Sequence, residues 1–109
     1  MKKEFKVITE LIEENSRVLD VGCGDGDLMK FLLQNKTIDI RGLEISKKNV
    51  QNCLSKGLAV IEGNAENDLS QFPNNSFDYV VLSQTLQAFL NTERVSLFLL
   101  QSRNSIRYQ

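Results

Sequence analysis

An α/β fold, built as an open parallel sheet with helices on both faces, is predicted by three features of the sequence. Helix-type and strand-type patterns alternate along the chain. A glycine-rich turn, GCGDG (22–26), joins the first strand to the helix that follows it. The strand pattern FDYVVLS (77–83) is a nearly continuous apolar run, as expected for a strand covered on both faces.

Residues 4–14 place Phe5, Ile8, Leu11 and Ile12 on one face of an amphipathic helix. RVLDV (17–21) reads as a buried strand leading into the glycines. Residues 26–34 carry Leu28, Phe31 and Leu32 on a single helical stripe. IDIRGLEI (38–45) is a second strand, with the acidic Glu44 near its end. Ser46 is an N-cap for a helix that runs through Lys56, turns Val50, Cys53 and Leu54 inward, and stops at Gly57. LAVIEG (58–63) is a third strand. NAENDLSQFPNNS (64–76) is polar and irregular, with a turn former at Pro73-Asn74-Asn75. FDYVVLS (77–83) is the fourth strand, and Phe72 and Phe77 are assigned to the core. TLQAFL (85–90) and the stretch from Asn91 read as helical. Right-handed crossovers then bring the strand ends, and with them any ligand, to one edge of the sheet.

The final segment breaks the alternation. VSLFLLQSRNSIRYQ (95–109) carries an apolar block, Leu97–Leu100, without helical spacing, and no strand–helix–strand unit follows it. The expectation is a sheet that stops after its fourth strand, with an uncovered edge open to self-association. The chain then divides into a domain over residues 1–95 and an atypical tail over 96–109.

Composition narrows the function classes. The 109 residues suffice for one small domain, and 13 basic against 14 acidic residues leave a net charge of -1. That balance offers no electrostatic footprint for nucleic acid or an anionic membrane surface. No apolar run approaches the roughly 20 residues of a membrane span, and MKKEFKVITE lacks the apolar stretch of a signal peptide, so a cytoplasmic location is expected. The absence of histidine removes Ser-His-Asp and Cys-His catalysis and the commonest zinc sites. Cys23 and Cys53 match no metal or redox spacing and read as small packing residues in a reducing compartment. Lys47, Lys48 and Lys56 read as a solvated helix face.

The glycine turn is the candidate ligand seat. Gly22 and Gly24 allow a sharp turn and close approach of a ligand to the backbone, and Gly26 opens the next helix. A dinucleotide fingerprint, G-x-G-x-x-G, wants glycine where Asp27 stands, and Asp25 and Asp27 would place two carboxylates beside a pyrophosphate. Both features disfavour a nicotinamide-dependent oxidoreductase. They suit S-adenosylmethionine, whose amino group and sulfonium are positive and whose single carboxylate would take the loop's backbone donors. In that reading Gly22, Cys23 and Gly24 form the seat, and Asp20 beneath it faces the amino-acid portion. Glu44 accepts both ribose hydroxyls, the usual device for a ribose in this architecture. Ile45 packs on the adenine face, Asn64 and Ala65 border its edge, and Ser83 and Gln84 close the pocket near the methyl group.

Taken in order, VLDVGCGDGDL, GLEIS, VIEGNAEN and FPNNSFDYVVLSQTLQ resemble the successive motifs of class I S-adenosylmethionine-dependent methyltransferases. FDYVVLSQTLQ, together with NVQNCLSKGLAVIEGNAENDLSQFPNNSFD, resembles more narrowly the MetW proteins of bacterial methionine biosynthesis, over roughly residues 5–95. SQTLQ (83–87) carries the narrower assignment. The resemblance implies a Rossmann-like methyltransferase fold, S-adenosylmethionine or S-adenosylhomocysteine as cofactor, and association with homoserine O-acetyltransferase. It supplies no methyl acceptor. Two functions therefore stand side by side: methyl transfer to an unidentified small acceptor, and a non-catalytic accessory or regulatory role toward the acetyltransferase. A catalytic base would have to be Asp, Glu, Lys or Tyr, and none stands out near 83–87. The sequence departs from the family pattern at Asn64, where many relatives carry an acidic residue, and after Arg94-Val95. There the family continues with a helix, a fifth strand and a Phe-Pro-Asn-type segment. Here the last residues read as an unrelated tail, of the kind a frameshift or truncation produces, leaving a cofactor half-site without its acceptor-facing half.

Overall fold

The computed structural model of the protein describes residues 3–73, 75–83 and 104–108. Its elements in chain order are α1 (Lys3–Leu11), β1 (Arg17–Val21), α2 (Asp27–Asn35), β2 (Asp39–Glu44), α3 (Lys47–Ser55), β3 (Val60–Glu62), α4 (Ala65–Asp68), a 3-10 turn (Leu69–Gln71), β4 (Tyr79–Ser83) and β5 (Asn104–Tyr108). The strands form a single parallel sheet in the order β3-β2-β1-β4-β5. β1 pairs with β2 on one side and β4 on the other, so the strand order reverses at β1. A ligand crevice is expected at that reversal, beyond the carboxyl ends of the strands.

Alternation along the strands divides the core in two. Val18, Ile40, Tyr79 and Val81 pack with Ile8 of α1, Ile12 just beyond it, Leu28, Met29 and Leu32 of α2, and Cys53 of α3. Leu19, Val21, Leu43, Val80 and Leu82 form the other core with Leu69 and Phe77, against which Phe72 packs. The Phe72 and Phe77 rings meet edge to face, 5.3 Å between centroids. Each fully buried aliphatic side chain contributes about 1.5–3 kcal/mol relative to exposure, so the central strands β1 and β4 anchor the fold.

Local signals start and stop the helices as the sequence requires. Ser46 caps α3 by accepting from the Asn49 N–H at 3.3 Å. Gly57, at φ 78°, carries the chain out of that helix. Two inward assignments are corrected: Leu11 is 54% exposed and Leu54 is 56% exposed. In each helix the buried stripe is narrower than the sequence pattern, with Ile8 serving α1, continued by Ile12 just past its end, and Val50 and Cys53 serving α3. Leu11 and Leu54 stand one residue, about 100°, off those stripes. The polar segment over 64–76 is not wholly irregular, since α4 and the 3-10 turn fold within it.

The largest difference lies at the far edge of the sheet. A fifth strand was not expected, yet Asn104–Tyr108 pairs parallel with β4 from Tyr79↔Asn104 to Ser83↔Tyr108. Ile106 packs against the core of β1, β2 and β4. SIRY alternates polar and apolar residues, but the block before it obscured that short strand signal. Gln84, the helix expected over 85–90 and the stretch from 91 lie outside the described residues.

Candidate functional site

The loop after β1 is held by its own hydrogen bonds. Gly22, Gly24 and Gly26 all take positive φ, at 71°, 61° and 91°, which side chains would strain. Gly22 N–H and Cys23 N–H both donate to the Leu43 carbonyl, at 2.7 and 3.3 Å. Gly24 N–H donates to Glu44 Oε1 at 2.8 Å, and Gly26 N–H to the Cys23 carbonyl at 3.2 Å. The Gly22, Cys23 and Gly24 donors, assigned from the sequence to a ligand carboxylate, are thus engaged within the protein in this structure.

Asp25 and Asp27 are exposed and belong to a different contact. Lys56 Nζ, at the end of α3, donates to the Asp25 carbonyl at 2.9 Å and lies 3.6 Å from Asp27 Oδ1. Lys56, read from sequence as a solvated residue, thus clamps the glycine loop to α3. Because it is partly exposed, the ion pair is worth under about 1 kcal/mol, and positioning matters more than energy.

Asp20 and Glu44 stand at the centre of the site. Asp20 is 1% exposed, and neither carboxylate oxygen meets a hydrogen-bond donor among the described residues. Burial, with the negative charge of Glu44 nearby, pushes its pKa up from 3.8 to about 7. Asp20 pairs in register with Gly42 of β2 and Val81 of β4. Glu44 is also buried, but it is fully engaged: Oε1 accepts from Gly24 N–H and Oε2 from Ser46 N–H at 2.9 Å. It ties the turn after β1 to the turn after β2, and each oxygen keeps a further lone-pair direction. The adjacent Glu44 carbonyl accepts from Gly63 N–H at 3.0 Å, drawing the end of β3 to the same place.

The remaining sequence-predicted residues surround this pair unevenly. Ile45, next to Glu44, is 67% exposed, an apolar surface at the open end of the sheet. Asn64 caps α4, its Oδ1 accepting from Glu66 N–H at 2.8 Å while its own N–H donates to Asp68 Oδ2 at 2.6 Å. Ala65 packs against the core beneath it. Ser83 ends β4 and pairs with Tyr108; the neighbouring Gln84 lies outside the described residues. Cys23 turns its sulfur into the core, toward Gly42 and Met29, so only its backbone faces the loop's exterior.

Sequence reading missed four contributors: Ser46 N–H, Lys56, Gly42 and Cys53. Gly42 carried a usable signal, because glycine inside a strand marks close approach of a neighbour. Cys23 fills that space. Among the described residues no group of three or more His, Cys, Asp or Glu is placed to hold a metal ion. No helix among them is long and apolar enough to cross a membrane.

Comparison with known proteins places this architecture. The family model described as "Methionine biosynthesis protein MetW" matches residues 2–106. A bifunctional methionine biosynthesis protein MetXA/MetW of Rhodopirellula baltica is 33% identical over 92 residues, covering 77% of this chain and 15% of that protein. Among solved structures, a TehB-like SAM-dependent methyltransferase from Corynebacterium glutamicum superposes with a TM-score of 0.80 at 18% identity, over 95% of this chain and 60% of that one. The cyclase SpnF superposes with a TM-score of 0.76 at 23% identity, over 91% of this chain and 39% of that one. The chain thus spans less than two thirds of each of these relatives. The two structures establish the fold alone, and one named a methyltransferase and one a cyclase share it. The parallel sheet that reverses at β1 is the Rossmann-like class I methyltransferase fold, and the chain belongs to the MetW family of methionine biosynthesis proteins.

Proposed function

We propose that the crevice beyond β1 and β2 binds S-adenosylmethionine, or S-adenosylhomocysteine, its demethylated product. The observation that carries this reading is Asp20, a buried carboxyl with no donor among the described residues, set at the strand reversal beneath the glycine loop. A buried unpaired carboxylate is costly, and a ligand ammonium supplies what it lacks. Glu44 then offers its remaining lone pairs to the ribose diol, Ile45 offers an apolar face to adenine, and Asn64 and Ala65 border the ring. Ser83 stands at the end of β4 on the methyl side. The ligand carboxylate goes elsewhere than the amides of Gly22, Cys23 and Gly24, which are already engaged.

Calorimetry with S-adenosylmethionine, S-adenosylhomocysteine and NAD tests the ligand class. Binding of both sulfur compounds and not NAD is expected; binding of NAD alone overturns the reading. Glu44→Gln should weaken S-adenosylhomocysteine by about 1–2 kcal/mol, roughly five- to thirtyfold in Kd, through lost charged hydrogen bonds. An unchanged Kd would place the ribose away from Glu44.

The role built on that binding is non-catalytic: an accessory to homoserine O-acetyltransferase that responds to S-adenosylmethionine. The relative named as a bifunctional MetXA/MetW protein supports it, since MetXA and MetW are named together as one polypeptide there. Methyl transfer to a small acceptor is the competing role, and it needs an acceptor held in line with the sulfonium methyl. Mixing the purified protein with the acetyltransferase decides between them. Co-elution, with an acetyltransferase rate that shifts on adding S-adenosylmethionine, is expected. Neither co-elution nor a changed rate would sink the accessory role.

A further inference from the structure

Two thiols separated in sequence meet behind the glycine loop. Cys23 comes from the loop and Cys53 from the last turns of α3, and their sulfurs lie 4.0 Å apart. Both are free and buried. Cys53 Sγ donates to the Gly24 carbonyl at 3.3 Å. Cys23 Sγ occupies the hollow over Gly42, where an added Cβ would lie 2.5 Å from it. The pair therefore joins the glycine loop, which also donates to Glu44, to α3 and to β2.

We propose that Cys23 and Cys53 form a redox pair that closes to a disulfide under a low-molecular-weight disulfide oxidant, and that closure reshapes the glycine loop. Cys23 is the attacking thiol, because it lies in the loop, which can open to solvent, whereas Cys53 is held within α3. Its thiolate attacks one sulfur of oxidised glutathione, giving a Cys23–glutathione mixed disulfide and releasing one glutathione thiolate. Cys53, having given its proton to solvent, then attacks the Cys23 sulfur and expels the second glutathione. The two protein thiols are oxidised by two electrons, and one glutathione disulfide is reduced to two thiols. Burial pushes both thiols up, so the thiolate forms chiefly when the loop opens, and closure is slow.

Bond formation needs the sulfurs at about 2.05 Å, an approach of roughly 2 Å. That movement takes Cys53 Sγ off the Gly24 carbonyl and draws Cys23 out of its hollow at Gly42. The Gly24 N–H that binds Glu44 belongs to the same stretch of backbone. Gly22 and Gly24, in conformations only glycine adopts freely, give the loop room to follow. The effect on ligand binding rests on the cofactor reading above; the disulfide itself does not.

The test incubates the protein in glutathione buffers of rising oxidised fraction, alkylates remaining thiols under denaturation, and measures intact mass. A species lighter by two hydrogens, unalkylated, and yielding a Cys23–Cys53 linked peptide is expected. Cys53→Ala should stop at a glutathione adduct on Cys23, and Cys23→Ala should leave Cys53 unmodified over the same time. Full alkylation of both wild-type cysteines in the most oxidising buffer, or a link between chains, would overturn the proposal in favour of simple packing. S-adenosylhomocysteine titrated into reduced and oxidised protein reads the second part: at least a tenfold loss on oxidation, restored by dithiothreitol. Equal affinity in both forms overturns the loop reshaping. If the reduced protein binds no S-adenosylhomocysteine, the cofactor reading fails while the mass result still decides the disulfide.

Discussion

Asp20→Asn is expected to raise the Kd for S-adenosylmethionine at least a hundredfold, about 3 kcal/mol, while making the ligand-free protein more stable at pH 8. The two effects have one origin. The Asp20 carboxyl is buried with neither oxygen bonded among the described residues, and its pKa is pushed up from 3.8 to about 7. A raised carboxylate pKa is a penalty on the folded state at neutral pH, because the unfolded chain ionises more easily. Below about pH 4 the group is protonated in both states and the penalty vanishes. Between about pH 4 and pH 7 the unfolded chain ionises first, so folded stability falls as pH rises. Above pH 7 the loss is complete, and three units at 1.36 kcal/mol each put it at up to about 4 kcal/mol. Asparagine does not ionise, so its urea-unfolding stability should stay flat over that range while the wild type declines. Parallel pH profiles for the two proteins would show that Asp20 does not carry the penalty.

Ligand binding follows the same proton. An ammonium beside Asp20 favours the ionised carboxyl, so binding near neutral pH releases a proton. Affinity should then fall about tenfold for each pH unit below 7, and calorimetry in buffers of different ionisation enthalpy reads the proton directly. Glu44 and the Cys23 thiol are the titratable neighbours. The thiol stays protonated across this range, and Glu44 is already committed to two backbone donors. Asp20→Asn should abolish both the proton release and the slope.

Much of this was legible in the sequence because it depends on local rules. RVLDV became β1 without a shift of boundary, and Ser46 capped α3 as its position required. Asp20 and Glu44 lie near one another because Asp20 is the last residue but one of β1 and Glu44 ends the adjacent β2, in a sheet whose parallel sense the alternation implied. What was not legible depends on tertiary contact. No pattern shows that Glu44 is bound by Gly24 and Ser46, or that Lys56 reaches the Asp25 carbonyl. Cys23 and Cys53 match no spacing rule, since their meeting depends on how α3 crosses the loop. The fifth strand failed for a different reason: five residues preceded by an irregular apolar block give too short a period to read.

Gly42→Ala should destabilise the protein by about 2–3 kcal/mol, through overpacking alone. Gly42 sits inside β2 with no positive φ, so alanine meets no backbone strain there. Its Cβ, however, would lie 2.5 Å from Cys23 Sγ, 2.9 Å from Met29 Sδ and 3.1 Å from Cys23 Cβ. The sulfur of Met29 can move at the end of a flexible chain. Cys23 Cβ cannot move without its backbone, so the loop must lift and the Gly24–Glu44 bond must stretch. Gly24→Ala is the opposite case, with φ 61° but nothing within 4 Å of the added Cβ. It should lose about 1–2 kcal/mol, from backbone strain only. The two variants therefore separate packing from conformation in the same loop. Cys23→Ala combined with Gly42→Ala should recover part of the Gly42→Ala loss, because the 2.5 Å contact with Cys23 Sγ is gone while the contact with the β-carbon stays. Urea unfolding of the four proteins closes the cycle. Additive losses would mean that Cys23 does not rest on Gly42, and that the small residue in β2 serves some purpose other than seating the glycine loop.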